Sequence, residues 1–145
     1  MYTQDYVEID VNCSADGVMY ILHGPRVDAT TDGDGLLREL TSHEIDQLDA
    51  GSWFGAEYAG ERVPRLETFL RWIKGKAKVF LDVKRADHAE LISLVYSLGL
   101  QDDCFFWSGV PGWQAELRAL EPRLRQKLNI SSTSSRENER AKRGR

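Results

Sequence analysis

The sequence predicts an α/β fold in which about four parallel strands alternate with crossover helices, followed by a disordered basic tail. Three observations carry this. From about residue 60 the chain reads helix, strand, helix, strand, helix, the order that lays helices on a parallel sheet through right-handed crossovers. The stretch YVEIDV (6–11) alternates strictly between apolar and acidic residues, the period of a strand with two unlike faces. Hydrophobic residues make up 41% of the chain, a globular composition. The 145 residues suffice for one domain with a real core. Four strands do not close an eight-stranded barrel, which usually takes ~250 residues, so the pattern reads as part of a larger architecture.

The elements follow in order. YVEIDV is the first strand, and SADG (14–17) is a turn with Asp-Gly chemistry. VMYILH (18–23) is the second strand, and 24–38 is a long loop rich in Gly, Asp and Thr. LTSHEIDQLDAG (40–51) reads as a helix, with Thr41 and Glu44 spaced as a capping box and Gly51 as its stop. A second loop leads to PRLETFLRWIKGK (64–76), a helix with Pro64 in its first turn and Leu66, Phe69, Leu70 and Ile73 as its apolar stripe. AKVFLDVK is the third strand. The next helix is opened by Asp87 and closed by Gly99, and DDCFFWSG is the fourth strand. A last helical stretch is interrupted by Pro122. Beyond residue 130 the chain is polar and basic, so the expected division is a domain over 1–130 and a disordered tail over 131–145.

Charge and cysteine content narrow the function. The net charge is −4, yet 131–145 holds five basic and two acidic residues, leaving −7 on the first 130. Binding phosphate backbones needs a basic face, so the acidic body argues against a nucleic-acid partner. Cys13 and Cys104 have neither disulfide-framework nor metal-ligand spacing and read as packing residues. No apolar run reaches the ~18 residues of a membrane span. No basic-then-apolar leader is visible at the start, and the expected location is cytoplasmic. An open sheet would also expose edge strands, which favours self-association.

The chemistry-bearing residues gather at strand ends. Glu8 and Asp10 point to one face of the first strand, their Cα atoms ~7 Å apart, while Val7, Ile9 and Val11 point to the other. Acids on the inner face of a sheet are costly unless neutralised, and Mg²⁺ or Ca²⁺, which prefer carboxylate oxygens, would do that. The same alternation is also the ordinary pattern of an edge strand with a solvated face. His23 ends the second strand, where active sites of crossover-helix sheets lie, or serves there as a structural residue. Asp82 and Lys84 share one face of the third strand, either as a plain ion pair or as a metal ligand beside a phosphate-binding cation. Taken together, Glu8, Asp10, His23, Asp82 and Lys84 converge as a metal-assisted site for an anionic substrate would.

Four segments in order carry a family resemblance. VEIDVNCSADGVMYILHG resembles the glycerophosphodiester phosphodiesterase signature, a V-E-x-D-V strand followed by a T-x-D-G turn and a V-x-H-D strand end. ATTDGDGLLRELTSHEIDQLDAGSWF resembles that family's R-T-T-x-G-x-G segment and its L-x-x-L-D-A-G helix end. GERVPRLETFL resembles G-E-x-V-P-T-L-x-E. VFLDVK resembles the strand carrying a third metal carboxylate and a lysine. The resemblance covers about residues 6–108. It implies a partial (β/α)8 TIM barrel and a divalent-metal hydrolase that cleaves glycerophosphodiesters, small molecules of lipid metabolism, to sn-glycerol 3-phosphate and an alcohol. It implies that Glu8, Asp10 and Asp82 are metal ligands. It implies that His23 is one of two histidines in acid–base catalysis, and that Lys84 offsets phosphate charge.

The sequence departs from that pattern in places. Gly24 stands where the pattern has Asp, and Ala29 where it has Arg. The family's H-R-G segment, with the other histidine and an arginine, has no counterpart before residue 6, and too few residues follow Trp107 for four further strands. His43 and His88 fall within predicted helices and are expected at the surface. The alternative reading is therefore a truncated, catalytically impaired relative that retains part of the metal and phosphate site.

Overall fold

Residues 5–126 are described in the computed structural model of the chain, and the basic tail expected over 131–145 lies outside them. Four strands form one sheet: β1 (Tyr6–Cys13), β2 (Met19–Ile21), β3 (Lys78–Val83) and β4 (Cys104–Trp107), in the order β2-β1-β3-β4. The helices are α1 (Ser42–Ile45), α2 (Leu66–Ile73), α3 (His88–Ser97) and α4 (Trp113–Leu120). The α/β character holds, with β1, β3 and β4 parallel as expected.

The second strand departs from the expected parallel set: β2 runs antiparallel to β1. Only residues 14–18 join the two, and a parallel pairing needs a crossover of a dozen or more residues. The turn is fixed by Gly17 at φ +84° and by Ser14, whose Oγ accepts the Val18 N–H at 2.9 Å. Both outer strands are partly covered. Pro64 accepts the Ile21 N–H and Arg125 accepts the Phe106 N–H, which leaves less free edge than the open sheet expected from sequence.

One face of the sheet carries the core. Ile9, Val11, Val79, Leu81, Val83 and Phe106 meet Leu66, Leu70 and Ile73 of α2, Leu91 and Val95 of α3, and Leu117 of α4. The alternation read in YVEIDV is thus the alternation between this core and the opposite face. A second, smaller core lies under the long loop and contains Tyr20, Leu22, Val27, Leu37, Ile45 and Val63.

Two helices begin where expected and one is shorter. Thr41 and Glu44 form a reciprocal capping box at α1, and the Asp87 carboxylate accepts the Glu90 N–H at α3. The predicted helix over 40–51 stops after one turn, because side chains take over the backbone. The Asp49 carboxylate accepts the N–H groups of Gly51, Ser52 and Gly60 and folds the chain into a loop. Gly51 is needed for a reason other than helix termination: a Cβ there would lie 1.8 Å from the Tyr58 carbonyl oxygen. Pro64 precedes α2 rather than occupying its first turn, and Arg65 is the N-cap.

His88 overturns its expected surface position. It is 5% exposed, because the first residue of α3 faces α4. Its ring lies edge-on to Trp113 at 4.8 Å. Nδ1 is 3.2 Å from Glu116 Oε1 without the alignment of a hydrogen bond. His43 is exposed as expected. Cys104 is fully buried, its thiol pushed up to about 12 by burial, and Cys13 is half-buried; neither forms a disulfide. Among the described residues no helix is long and apolar enough to cross a membrane.

Leu70→Ala, at a fully buried position of α2, should lower the free energy of unfolding in a urea titration by about 2–5 kcal/mol. Arg71→Ala, one residue on and exposed, should change it by about 0.5 kcal/mol or less. Equal losses would contradict the packing described for α2.

Candidate active site

The face opposite the helices collects the acids. Glu8 and Asp10 share that face of β1, and in the parallel register Asp10 sits directly beside Asp82 of β3. One oxygen from each of Glu8, Asp10 and Asp82 falls within a set no more than 4.8 Å across. Asp82 is 7% exposed, and its Oδ1 is buried with no hydrogen-bond partner among the described residues. Its Oδ2 accepts from Lys84 Nζ at 2.9 Å. An ionised oxygen left unpaired in a buried position is costly. Its surroundings offer two more carboxylates, and a hard cation would satisfy all three.

The electrostatics carry the mark of this crowding. Burial raises the pKa of Asp10, the negative charge of Asp82 adds to that, and Lys84 and His23 oppose it. The bond to Asp82 pushes the Lys84 ammonium pKa upward, so its proton is held firmly.

His23 arrives by a different route from the one expected. It does not end a parallel strand. The antiparallel hairpin folds back, the Leu22 N–H donates to the Asp10 carbonyl at 3.3 Å, and His23 follows directly. His23 Nε2 is 3.9 Å from Asp10 Oδ2, and the side chain is 98% exposed. Gly24 follows at φ +84°, a left-handed conformation that Gly adopts freely and Asp or Asn more readily than other residues. Ala29 is exposed in the long loop. All five site residues named from the sequence therefore lie together.

Sequence reasoning missed three residues of the same region. Asn12, buried, donates from Nδ2 to the carbonyls of Leu22 and Gly24 at 3.0 and 3.3 Å, and so clamps the segment bearing His23. Its position two residues beyond Asp10 on the same face was the available signal. Arg38, on a 3₁₀ turn (Leu37–Glu39), and Arg85 line the same cavity. No local spacing points to Arg38, because only the tertiary fold brings its loop to the sheet.

The space around these groups has three parts. A cavity of about 490 Å³ is lined by Glu8, Asp82 and Ile21, and one of about 420 Å³ by Asn12, Arg38 and Arg85; both share Asp10, His23 and Lys84. A third, of about 530 Å³, lies between Tyr6, Phe80 and Trp107 and touches Glu8 and Asp82. Phe80 stacks on Phe105 at 5.6 Å on the same sheet face.

Residues 3–107 match the model of the glycerophosphoryl diester phosphodiesterase family. A glycerophosphodiester phosphodiesterase of Caldanaerobacter subterraneus is 45% identical over 72 residues, 50% of this chain and 30% of the relative. One from Bacillus subtilis is 33% identical over 91 residues, 57% of this chain and 31% of the relative. Among solved structures, a glycerophosphodiester phosphodiesterase from Agrobacterium tumefaciens superposes with a TM-score of 0.82 at 40% identity, over 86% of this chain and 54% of that one. A phosphodiesterase from Oleispira antarctica in complex with the product sn-glycerol-3-phosphate gives 0.71 at 32% identity, over 83% and 52%. The chain thus spans about a third of the curated relatives' length and about half of these solved chains. Glu8, Asp10, His23, Asp82 and Lys84 all fall inside the matched residues.

The raised pKa of Asp10 fixes the sign of a pH effect. At neutral pH the fold holds the ionised carboxylate at a cost, and that cost fades as pH falls toward the ordinary Asp value of about 4. Asp10→Asn should therefore raise the thermal midpoint of the metal-free chain at neutral pH, with the gain shrinking toward about pH 4. The same variant should weaken Mg²⁺ or Ca²⁺ binding in calorimetry by at least about tenfold, the smallest usual loss even for residues that only support metal ligands. Unchanged cation affinity would remove Asp10 from the ligand set.

Proposed function

Because the chain belongs to the glycerophosphoryl diester phosphodiesterase family, we propose that it carries the metal and phosphate part of a site that hydrolyses glycerophosphodiesters to sn-glycerol 3-phosphate and an alcohol. The observation that carries this reading is the buried Asp82 Oδ1, without a hydrogen bond, inside a three-carboxylate cluster flanked by Lys84 and His23. The product seen in the Oleispira antarctica relative supports the substrate class.

Glu8, Asp10 and Asp82 would hold a divalent cation, Mg²⁺ or Ca²⁺, through oxygen donors. Bound there, such an ion supplies positive charge against the phosphoryl oxygens and so favours attack at phosphorus. Lys84 adds a fixed positive charge on the neighbouring strand position, where it offsets charge that grows in the transition state. His23 faces the junction of the two cavities. Its imidazole is the group that takes or gives a proton at the attacking or leaving oxygen. Asn12 keeps the segment bearing His23 against β1, so the proton-transfer group and the carboxylates hold one relative position.

A second reading, a relative that binds metal and phosphodiester without turnover, is favoured by one feature. His23 is almost fully exposed, with Asp10 its one ion-pair partner among the described residues and Gly24 where the family pattern has Asp. Neither His43, exposed on α1, nor His88, buried against α4, lines the cavities described above.

Release of sn-glycerol 3-phosphate from glycerophosphocholine, measured with an enzyme-coupled assay in Mg²⁺ or Ca²⁺, decides between the two. Hydrolysis that disappears with chelator and falls by ~10²–10⁴-fold in His23→Ala supports the catalytic reading. Diester binding by the wild-type chain without product supports the second. Full activity in His23→Ala would exclude His23 from the chemistry.

A further inference from the structure

We propose that the part of the cavity beside Arg38 and Arg85 is a second anion-binding subsite, and that it selects diesters whose alcohol portion carries its own negative charge. This rests on the phosphodiesterase reading above.

The two adjoining cavities meet at Asp10, His23 and Lys84 but differ in charge beyond that junction. One side continues to Glu8 and Asp82, and the other to Arg38 and Arg85. The basic side thus adds two guanidinium groups and no carboxylate of its own. These two arginines are also unlike the others in the described residues. Arg26, Arg65, Arg71 and Arg123 donate to carboxylates, Arg62 to carbonyls and Arg118 to Gln126, and Arg125 pairs with Asp102. Neither Arg38 nor Arg85 forms an ion pair with a carboxylate among the described residues. Arg85 lies beside the thiol of Cys13, a weak acceptor. In a chain of net charge −4 with 23 acidic residues, partners for two guanidinium groups are easily found. Two that line a cavity without one are matched to an anion brought by a ligand.

Strand direction says which part of the substrate reaches them. Tyr6 and Phe80 precede Glu8 and Asp82 along their strands and Trp107 is level with Asp82, so the aromatic pocket runs across the sheet face from the level of Asp82 toward the N-terminal ends. Asn12 and Arg85 follow Asp10 and Lys84, so the basic side opens beyond the carboxyl ends, where ligands enter sheets of this kind. A phosphate held at the junction can direct its glycerol portion toward the aromatic pocket and its alcohol portion toward the arginines. A carboxylate or a second phosphate on that alcohol meets two positive charges there, whereas a quaternary ammonium is repelled.

The test compares kcat/KM of the full chain, with Ca²⁺ present, for four diesters. Glycerophospho-N-acetylserine supplies a carboxylate without the serine ammonium, a glycerophosphoinositol with a ring phosphate supplies a phosphate, and the alcohol portion is neutral in glycerophosphoglycerol and cationic in glycerophosphocholine. The expected order puts one or both anionic diesters above the neutral one and the cationic one last, and the leading anionic diester identifies the preferred group. Arg38→Ala and Arg85→Ala should each lower the anionic-to-cationic ratio by about tenfold, and Arg38→Glu should lower it further. Arg71→Ala, on the exposed face of α2, should leave the ratio unchanged. A ratio near one in the wild type, a preference for glycerophosphocholine, or a ratio that Arg38→Ala and Arg85→Ala do not move would overturn the proposal. If no diester is hydrolysed, the phosphodiesterase reading fails and calorimetry with the same four compounds decides the subsite. Tighter binding of an anionic diester that weakens in Arg38→Ala sustains it, and equal or undetectable binding rejects it.

Discussion

The in-register pairing of β1 with β3 is the constraint on which the rest depends. It sets Asp10 beside Asp82 and Val11 beside Val83, so one hydrogen-bond ladder fixes both the site and the core. Side chains alternate along a strand, and a slip of one residue would turn the acids into the helix layer and the valines toward the cavity. The helix layer prevents this, since Leu70, Leu91 and Leu117 need apolar partners across the sheet. The apolar core therefore keeps three carboxylates together, and burial first, then the charge of Asp82, raises the pKa of Asp10.

Much of this was legible in the sequence because it is written in short-range patterns. The strict alternation of YVEIDV gave the two faces of β1, and the order of elements after residue 60 gave the parallel strands. Thr41 with Glu44 and Asp87 before α3 marked two helix starts by capping chemistry alone. Glu8, Asp10, His23, Asp82 and Lys84 were legible as a group through the family pattern, and the fold brings all five together. What was illegible depends on contacts distant in the chain. The strand MYI lies antiparallel because a short turn permits nothing else, a point of chain length that periodicity does not register. The predicted helix over 40–51 shrank because Asp49 bonds backbone groups up to Gly60. His88 is buried because α4 packs over it, and Arg38 reaches the cavity through a loop whose path no local spacing records.

The acidic character of the domain also has two origins. Some carboxylates gather at the candidate site. Others hold the loop between β2 and α2 in place of regular secondary structure. Asp16 accepts from the backbone and side chain of Ser42 and from Ser14, tying the hairpin turn to the start of α1. Asp46 accepts from the buried Tyr20 and from Arg65, joining β2 to the cap of α2. Hydrogen bonds from these donors hold the carboxyls of Asp16, Asp46 and Asp49 below the usual carboxylate range, the opposite of Asp10. One residue type thus does two jobs, told apart by whether donors or other acids surround it.

Asn12 joins the two halves of the site in one further respect. Its amide grips the carbonyls on either side of His23 while its backbone belongs to the strand that carries Glu8 and Asp10. The histidine is therefore riveted to the same girder as Glu8 and Asp10, while Asp82 stands on the neighbouring one. Because the girder of Glu8 and Asp10 is also braced by β3, fraying of the hairpin would free the histidine while the carboxylates stayed in register. The Asn12 amide is thus the rivet that keeps the outer ribbon of the sheet aligned with the inner one.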